Sequence, residues 1–167
     1  MTPGSLGWWA AKVRQARRHV GARVEARERD SISAWLTPEE LALFDAMHVS
    51  DRRHGLDVVA SLEAEGRPDH DLLVAGLLHD AGKGDLGLVP RVIYSLSTAY
   101  GGWVVSATAW LPGMRAAQGR LRSHAETSAE LAARAGCSAR TVELIRWQDE
   151  PRDPVAGERL RLADEAN

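Results

Sequence analysis

His79 and Asp80 stand side by side where an apolar run stops, in Leu77-Leu78-His79-Asp80-Ala81-Gly82-Lys83-Gly84. The preceding run, Leu72-Leu73-Val74-Ala75-Gly76-Leu77-Leu78, reads as a buried helix. A carboxylate at the end of a buried element needs a compensating partner, because an unpaired charge in apolar surroundings is costly. A metal ion is a natural partner, provided other segments supply further ligands. His54 lies in the helical stretch Asp51-Arg52-Arg53-His54-Gly55-Leu56-Asp57-Val58-Val59, and Asp164 lies in Leu160-Arg161-Leu162-Ala163-Asp164-Glu165-Ala166-Asn167. Two imidazoles and two carboxylates suit one borderline divalent ion, Mn, Fe, Co, Ni or Zn, better than a thiolate-seeking metal or an all-oxygen calcium site. Four protein ligands leave room for a water, whose pKa the metal lowers, and for a phosphate oxygen, which it polarises. Each histidine taken alone reads as an ordinary partly buried residue; their company with Asp80 and Asp164 makes the metal reading.

The order His54, then His79-Asp80, then Asp164 on a C-terminal helix resembles the HD-domain superfamily, over about residues 51 to 167. That resemblance implies an all-α, HD-domain-like helical bundle and a metal-dependent phosphohydrolase acting on a phosphate ester. A nucleotide or related small phosphorylated metabolite is the implied substrate, with a cyclic or dinucleotide phosphodiester as a further reading. A non-catalytic module that keeps the metal and binds a phosphorylated ligand or a partner protein is the alternative. Lys83 looks like the lysine that follows the His-Asp pair in some branches and faces substrate phosphate; the other reading is a solvated lysine in a glycine-rich turn. Asp85 is placed either to assist proton transfer or to cap the next helix. His124-Ala125-Glu126 resembles an element that, with a histidine about two dozen residues later, holds a second metal in HD phosphodiesterases. Gln148 stands near that later position, and glutamine is a poor transition-metal ligand. One metal is therefore expected, with His124 on the substrate side or acting as a general acid. Arg53 and Arg91 are either phosphate contacts or surface residues; His19, His48 and His70 read as structural or exposed.

Helices must position these groups, and the start signals are plentiful. Thr37-Pro38-Glu39-Glu40 is a capping box with proline in the first turn. Leu41, Phe44, Met47, Val58 and Leu62 continue a helical period, with a break expected near Ser50-Asp51 and an end at Gly66-Arg67-Pro68. Asp69 caps the helix that leads to His79-Asp80. Residues 89 to 100 and 102 to 111 read as helical, Ser123 to Glu126 resembles a second capping box, Gly136 ends that helix, and Ser138 opens another through Trp147. Nearer the start of the chain, Trp9, Val13, Ala16, Val20 and Val24 recur at helical spacing with Lys12, Arg14, Arg17, Arg18 and Arg23 between them. The expected organisation is a basic amphipathic N-terminal helix and its connection over residues 1–36, followed by the metal-binding helical domain over residues 37–167.

The chain has 167 residues, of which 44% are apolar, enough for one domain with a real core. Its net charge of -2 is uneven: residues 1 to 29 carry seven Lys/Arg against Glu25 and Glu28, so +5, which leaves -7 for the remainder. That balance points to no nucleic-acid partner. The single cysteine, Cys137, cannot form an internal disulfide, and no Cys/His cluster suggests structural zinc. The stretch from Ile93 to Leu111 is too often interrupted by polar residues to span a membrane. With no signal-peptide core in Met1 to Trp9, the expectation is a soluble cytoplasmic protein whose N-terminal helix packs on the domain as a cover, with its arginines in solvent; a surface that touches anionic lipid or a polyanion is the other reading of that helix.

Overall fold

A computed structural model describes residues 22–84, 103, 119 and 123–167. Residues 23–84 and 123–167 form one compact unit. Every element among the described residues is helical: α1 (Ala26–Ser33), α2 (Pro38–Ala46), α3 (Val49–Glu65), α4 (His70–Leu78), a 3-10 turn (Ala81–Lys83), α5 (His124–Arg134), α6 (Ala139–Arg146) and α7 (Ala156–Ala166). The all-α expectation holds, and none of these helices is long and apolar enough to cross a membrane. Asp85, Arg91, His19, the stripe from Trp9 to Val20 and the helices expected over 89–111, Trp103 apart, lie outside the described residues.

Local hydrogen bonds begin the helices where short polar side chains allow it. Thr37 Oγ1 accepts from the Glu40 amide at 3.2 Å, and the Glu40 carboxylate accepts from the Thr37 amide at 2.9 Å, which satisfies two amides that the first turn leaves bare. Asp69 caps α4 through the Leu72 amide and Ser138 caps α6 through the Thr141 amide. Three local expectations differ. Val24 is not helical; residues 22–25 carry no regular secondary structure, and α1 begins where Glu28 accepts from the Glu25 amide. The break before α3 falls earlier than Ser50-Asp51, because the His48 ring accepts the Ser50 amide and acts as the cap. The Ser123–Glu126 box does not form: Ser123 has φ -104 and ψ 8 rather than an extended backbone, and Glu126 is taken by Arg146, whose Nε donates to both carboxylate oxygens at 3.1 Å.

Helix α4 is apolar on nearly every face, and such a helix is stable only when covered all round. It is accordingly the central element, packed against α3, α6, α7 and α2. Leu72, Val74, Ala75, Leu77 and Leu78 are buried together with Phe44 of α2, Val58 and Leu62 of α3, Ile145 of α6 and Leu160 of α7. Beyond α4 the chain turns tightly at Gly82. A Cβ there would meet the His124 carbonyl oxygen at 2.5 Å and the Ser128 nitrogen at 2.6 Å, so only glycine lets the turn lie directly against α5. The Gly82 amide donates to Ser128 Oγ at 2.8 Å. The most buried helix of the unit thus delivers His79 and Asp80 into a space walled by α3, α5 and α7.

Candidate metal centre

Each ligand candidate is set by the face of its own helix. On α3, His54, Val58 and Leu62 follow one another at four-residue spacing; Val58 and Leu62 are fully buried, so His54 points toward α4 from the same face. On α7, Leu160 is buried and Asp164 lies four residues further on that face. Two hydrogen bonds fasten α7 to α3: Arg159 Nη2 donates to the Leu62 carbonyl at 3.1 Å, and Asn167 Nδ2 donates to Ser61 Oγ at 2.8 Å. His79 and Asp80 complete the set from the end of α4.

The donor atoms converge. His54 Nε2 is 2.7 Å from Asp164 Oδ1, and His79 Nε2 is 3.5 Å from the same oxygen. The two imidazole rings meet edge to face with centroids 5.2 Å apart. His54, His79 and Asp164 each offer one ligand atom within 4.8 Å of the others, so these three can hold a metal ion. Ligands about 2.1 Å from a common ion lie roughly 3 to 4 Å from one another; the His79–Asp164 separation of 3.5 Å falls in that range, while His54 and Asp164 at 2.7 Å are hydrogen-bonded and would part slightly to admit an ion. Asp80 stands close beside them, with Oδ1 3.5 Å from His79 Nε2 and Oδ2 4.0 Å from His54 Nε2.

Two orphaned atoms make a chemical case for a cation. His79 Nε2 and Asp80 Oδ1 are buried and have no hydrogen-bond partner among the described residues, an arrangement that costs stability unless something satisfies it. On the far side of its ring, His79 Nδ1 donates to the Gly76 carbonyl at 2.9 Å. A carbonyl can only accept, so Nδ1 keeps its proton and Nε2 carries the lone pair whenever the ring is neutral, as a metal ligand requires. Access comes from the rim: the His79 and Asp80 side chains are 2% exposed, those of His54 and Asp164 21% and 41%.

The cluster's own charges bear on one another. Burial lowers the basicity of His79, but Asp80 and Asp164 more than reverse that and push the imidazole up to about 9. Burial likewise disfavours the Asp80 and Asp164 carboxylates, and the neighbouring cations hold both well below the usual carboxylate range. A histidine whose basicity rises on folding, from 6.5 to about 9, contributes stability that is complete below the lower value and lost above the higher one. In chelator the melting temperature should therefore fall as pH is raised from about 6.5 to 9, and thermal melts of wild type and His79→Gln across that range check it. A slope that persists in His79→Gln would assign it to another group.

Lys83 does not point away from the pair. Its Nζ sits 2.5 Å from Asp80 Oδ2; burial works against its charge, and Asp80, then Asp164 and Asp51, raise its basicity. His124, at the start of α5, places Nε2 3.8 Å from Asp80 Oδ1. Gln148 is buried next to the candidate ligands: Nε2 donates to the His79 carbonyl at 3.4 Å, so it touches the backbone of one of them. Arg53 is tied to Glu28 at 2.5 Å and to Asp57, which assigns it to clamping α1 on α3. His48 is a cap and His70 packs its exposed ring edge-on against Trp35. Asp51 was not anticipated. It is buried one turn before His54, and its three-residue offset from that histidine is the signal that could have found it.

Compared with protein-family models, with curated proteins and with solved structures, the chain matches none.

Proposed function

We propose that this chain is a metal-dependent phosphohydrolase of the HD-domain kind, acting on a nucleotide or a related small phosphorylated metabolite. The observation that carries the reading is the convergence of His54, His79 and Asp164 from three helices, 110 residues apart at the extremes, with Asp80 alongside. A single divalent transition ion, held by those three and by Asp80, would supply Lewis acidity and a water acidic enough to attack at neutral pH. The chain's own residues do the rest. His79 would present the Nε2 lone pair to the ion, because its Gly76 bond keeps the ring's other proton on Nδ1, His124, 3.8 Å from Asp80, can hold or deliver a proton, and Lys83 offers a point charge to phosphate. The substrate class rests on the resemblance of the His54, His79-Asp80 and Asp164 pattern; a phosphodiester is the runner-up.

Elemental analysis of the protein purified without chelator, followed by a screen of phosphomonoesters and diesters with Mn, Co, Ni and Zn added in turn, tests the proposal. The expected result is about one ion per chain and turnover of at least one ester class. Metal without any turnover would instead favour a module that binds a phosphorylated ligand or a partner. Absence of metal under every condition would overturn the reading.

A further inference from the structure

Asp80 and Lys83 are joined by the geometry of a single 3-10 turn. That helix has three residues per turn, so side chains at i and i+3 eclipse. With Asp80 at its N-terminal boundary and Lys83 as its last residue, the ammonium is stacked over the carboxylate. The Lys83 amide also donates to the Asp80 carbonyl at 3.0 Å, which fixes the turn, and Nζ lies 2.5 Å from Oδ2. The same carboxylate has its other oxygen 3.5 Å from His79 Nε2, and Oδ2 itself is 4.0 Å from His54 Nε2. One buried carboxylate thus faces a resident cation on one side and the metal-ligand atoms on the other.

We infer that Lys83 is an internal competitor for the metal: its ammonium occupies Asp80 in the metal-free protein, and a divalent ion must loosen that pair to gain the carboxylate. This rests on the metal reading above and adds a coupling to it. Two cations sharing one carboxylate repel in a site where little water screens them, so Lys83 lowers metal affinity. Coupling of this kind is reciprocal, and the ion weakens the hold of Asp80 on Lys83 by the same factor. Lys83 keeps 21% of its side chain exposed while Asp80 keeps 2%, so the released ammonium has solvent to move toward and the carboxylate does not. The lysine becomes available to an incoming phosphate only once the metal is in place. A phosphate that arrives first finds Lys83 already paired.

Titration of Zn or Mn into the chelator-stripped full chain, by calorimetry, tests the inference with Lys83→Met and Lys83→Arg. Lys83→Met should bind the ion tighter by about five- to a hundred-fold, the usual span of such couplings, while Lys83→Arg, which keeps the charge, should stay near wild type. Equal or weaker binding by a folded Lys83→Met would overturn the competition. A second measurement needs no variant: the rate at which acetic anhydride modifies Lys83 in the wild type, read by mass spectrometry, should rise when Zn is added, and an unchanged or slower rate would count against release. Binding of metal by none of the three proteins would be a different failure, overturning the metal centre itself and this inference with it.

Discussion

His79→Gln is expected to abolish stable metal binding and to reduce phosphoester turnover by well over a hundred-fold. The size of the effect separates a ligand from a supporting group, because loss of a partner that merely orients a ligand costs about ten- to a hundred-fold in affinity or activity. Glutamine is chosen over alanine because it keeps a polar side chain of comparable length in a fully buried position, whereas alanine would add a cavity cost of its own. Binding of Mn or Zn, circular dichroism and turnover should be measured on the same sample. A folded variant that retains wild-type metal occupancy would remove His79 from the ligand set. Asp164→Asn should follow the same pattern with less effect on folding, since Asp164 sits at the rim with 41% of its side chain exposed.

What could be read in advance divides along the range of the interactions. Thr37 with Glu40, Asp69 and Ser138 were legible because a cap is a bond between residues three apart, and the sequence contains both partners. The same signal misled at Ser123, where Glu126 finds Arg146, twenty residues away, instead. Burial of α4 was legible from its composition alone. The convergence of the candidate ligands was not: nothing in periodicity brings residue 54 to residue 164, and residue type together with a resemblance between motif orders named them without their geometry. Lys83 shows the limit most clearly. Its position after the His-Asp pair left two readings, a phosphate contact and a solvated turn lysine, and the side chain's direction depends on whether the turn is 3-10 or α, a difference that one residue of hydrogen-bond register decides. Gln148 was read as a missing ligand, and its buried bond to the His79 carbonyl depends on how α6 ends beside α4.

Gly55→Ala is expected to unseat the centre from outside it. Gly55 follows His54 on α3, and a Cβ built there would lie 2.5 Å from the Leu77 carbonyl oxygen and 3.2 Å from its carbon, both backbone atoms of α4. A flexible side chain could swing aside from such a contact; a helix backbone cannot, so α3 and α4 must separate. Gly76, next to Leu77 on α4, also faces α3, where a Cβ would reach the Leu62 side chain at 3.0 Å and the Val58 side chain at 3.3 Å, and the buried side chains between the helices have little slack to absorb the shift. Overpacking of a core typically costs about 1–3 kcal/mol, and a backbone clash belongs at the upper end. For a chain of this size that lowers the melting temperature by roughly 6 to 12 °C. Separation of α3 from α4 also moves His54 away from His79, two residues beyond Leu77, so metal affinity should fall although no ligand has changed. Thermal melts with and without Zn measure both effects, and a variant with wild-type melting temperature and metal affinity would mean that the two helices do not approach as closely as Gly55 requires.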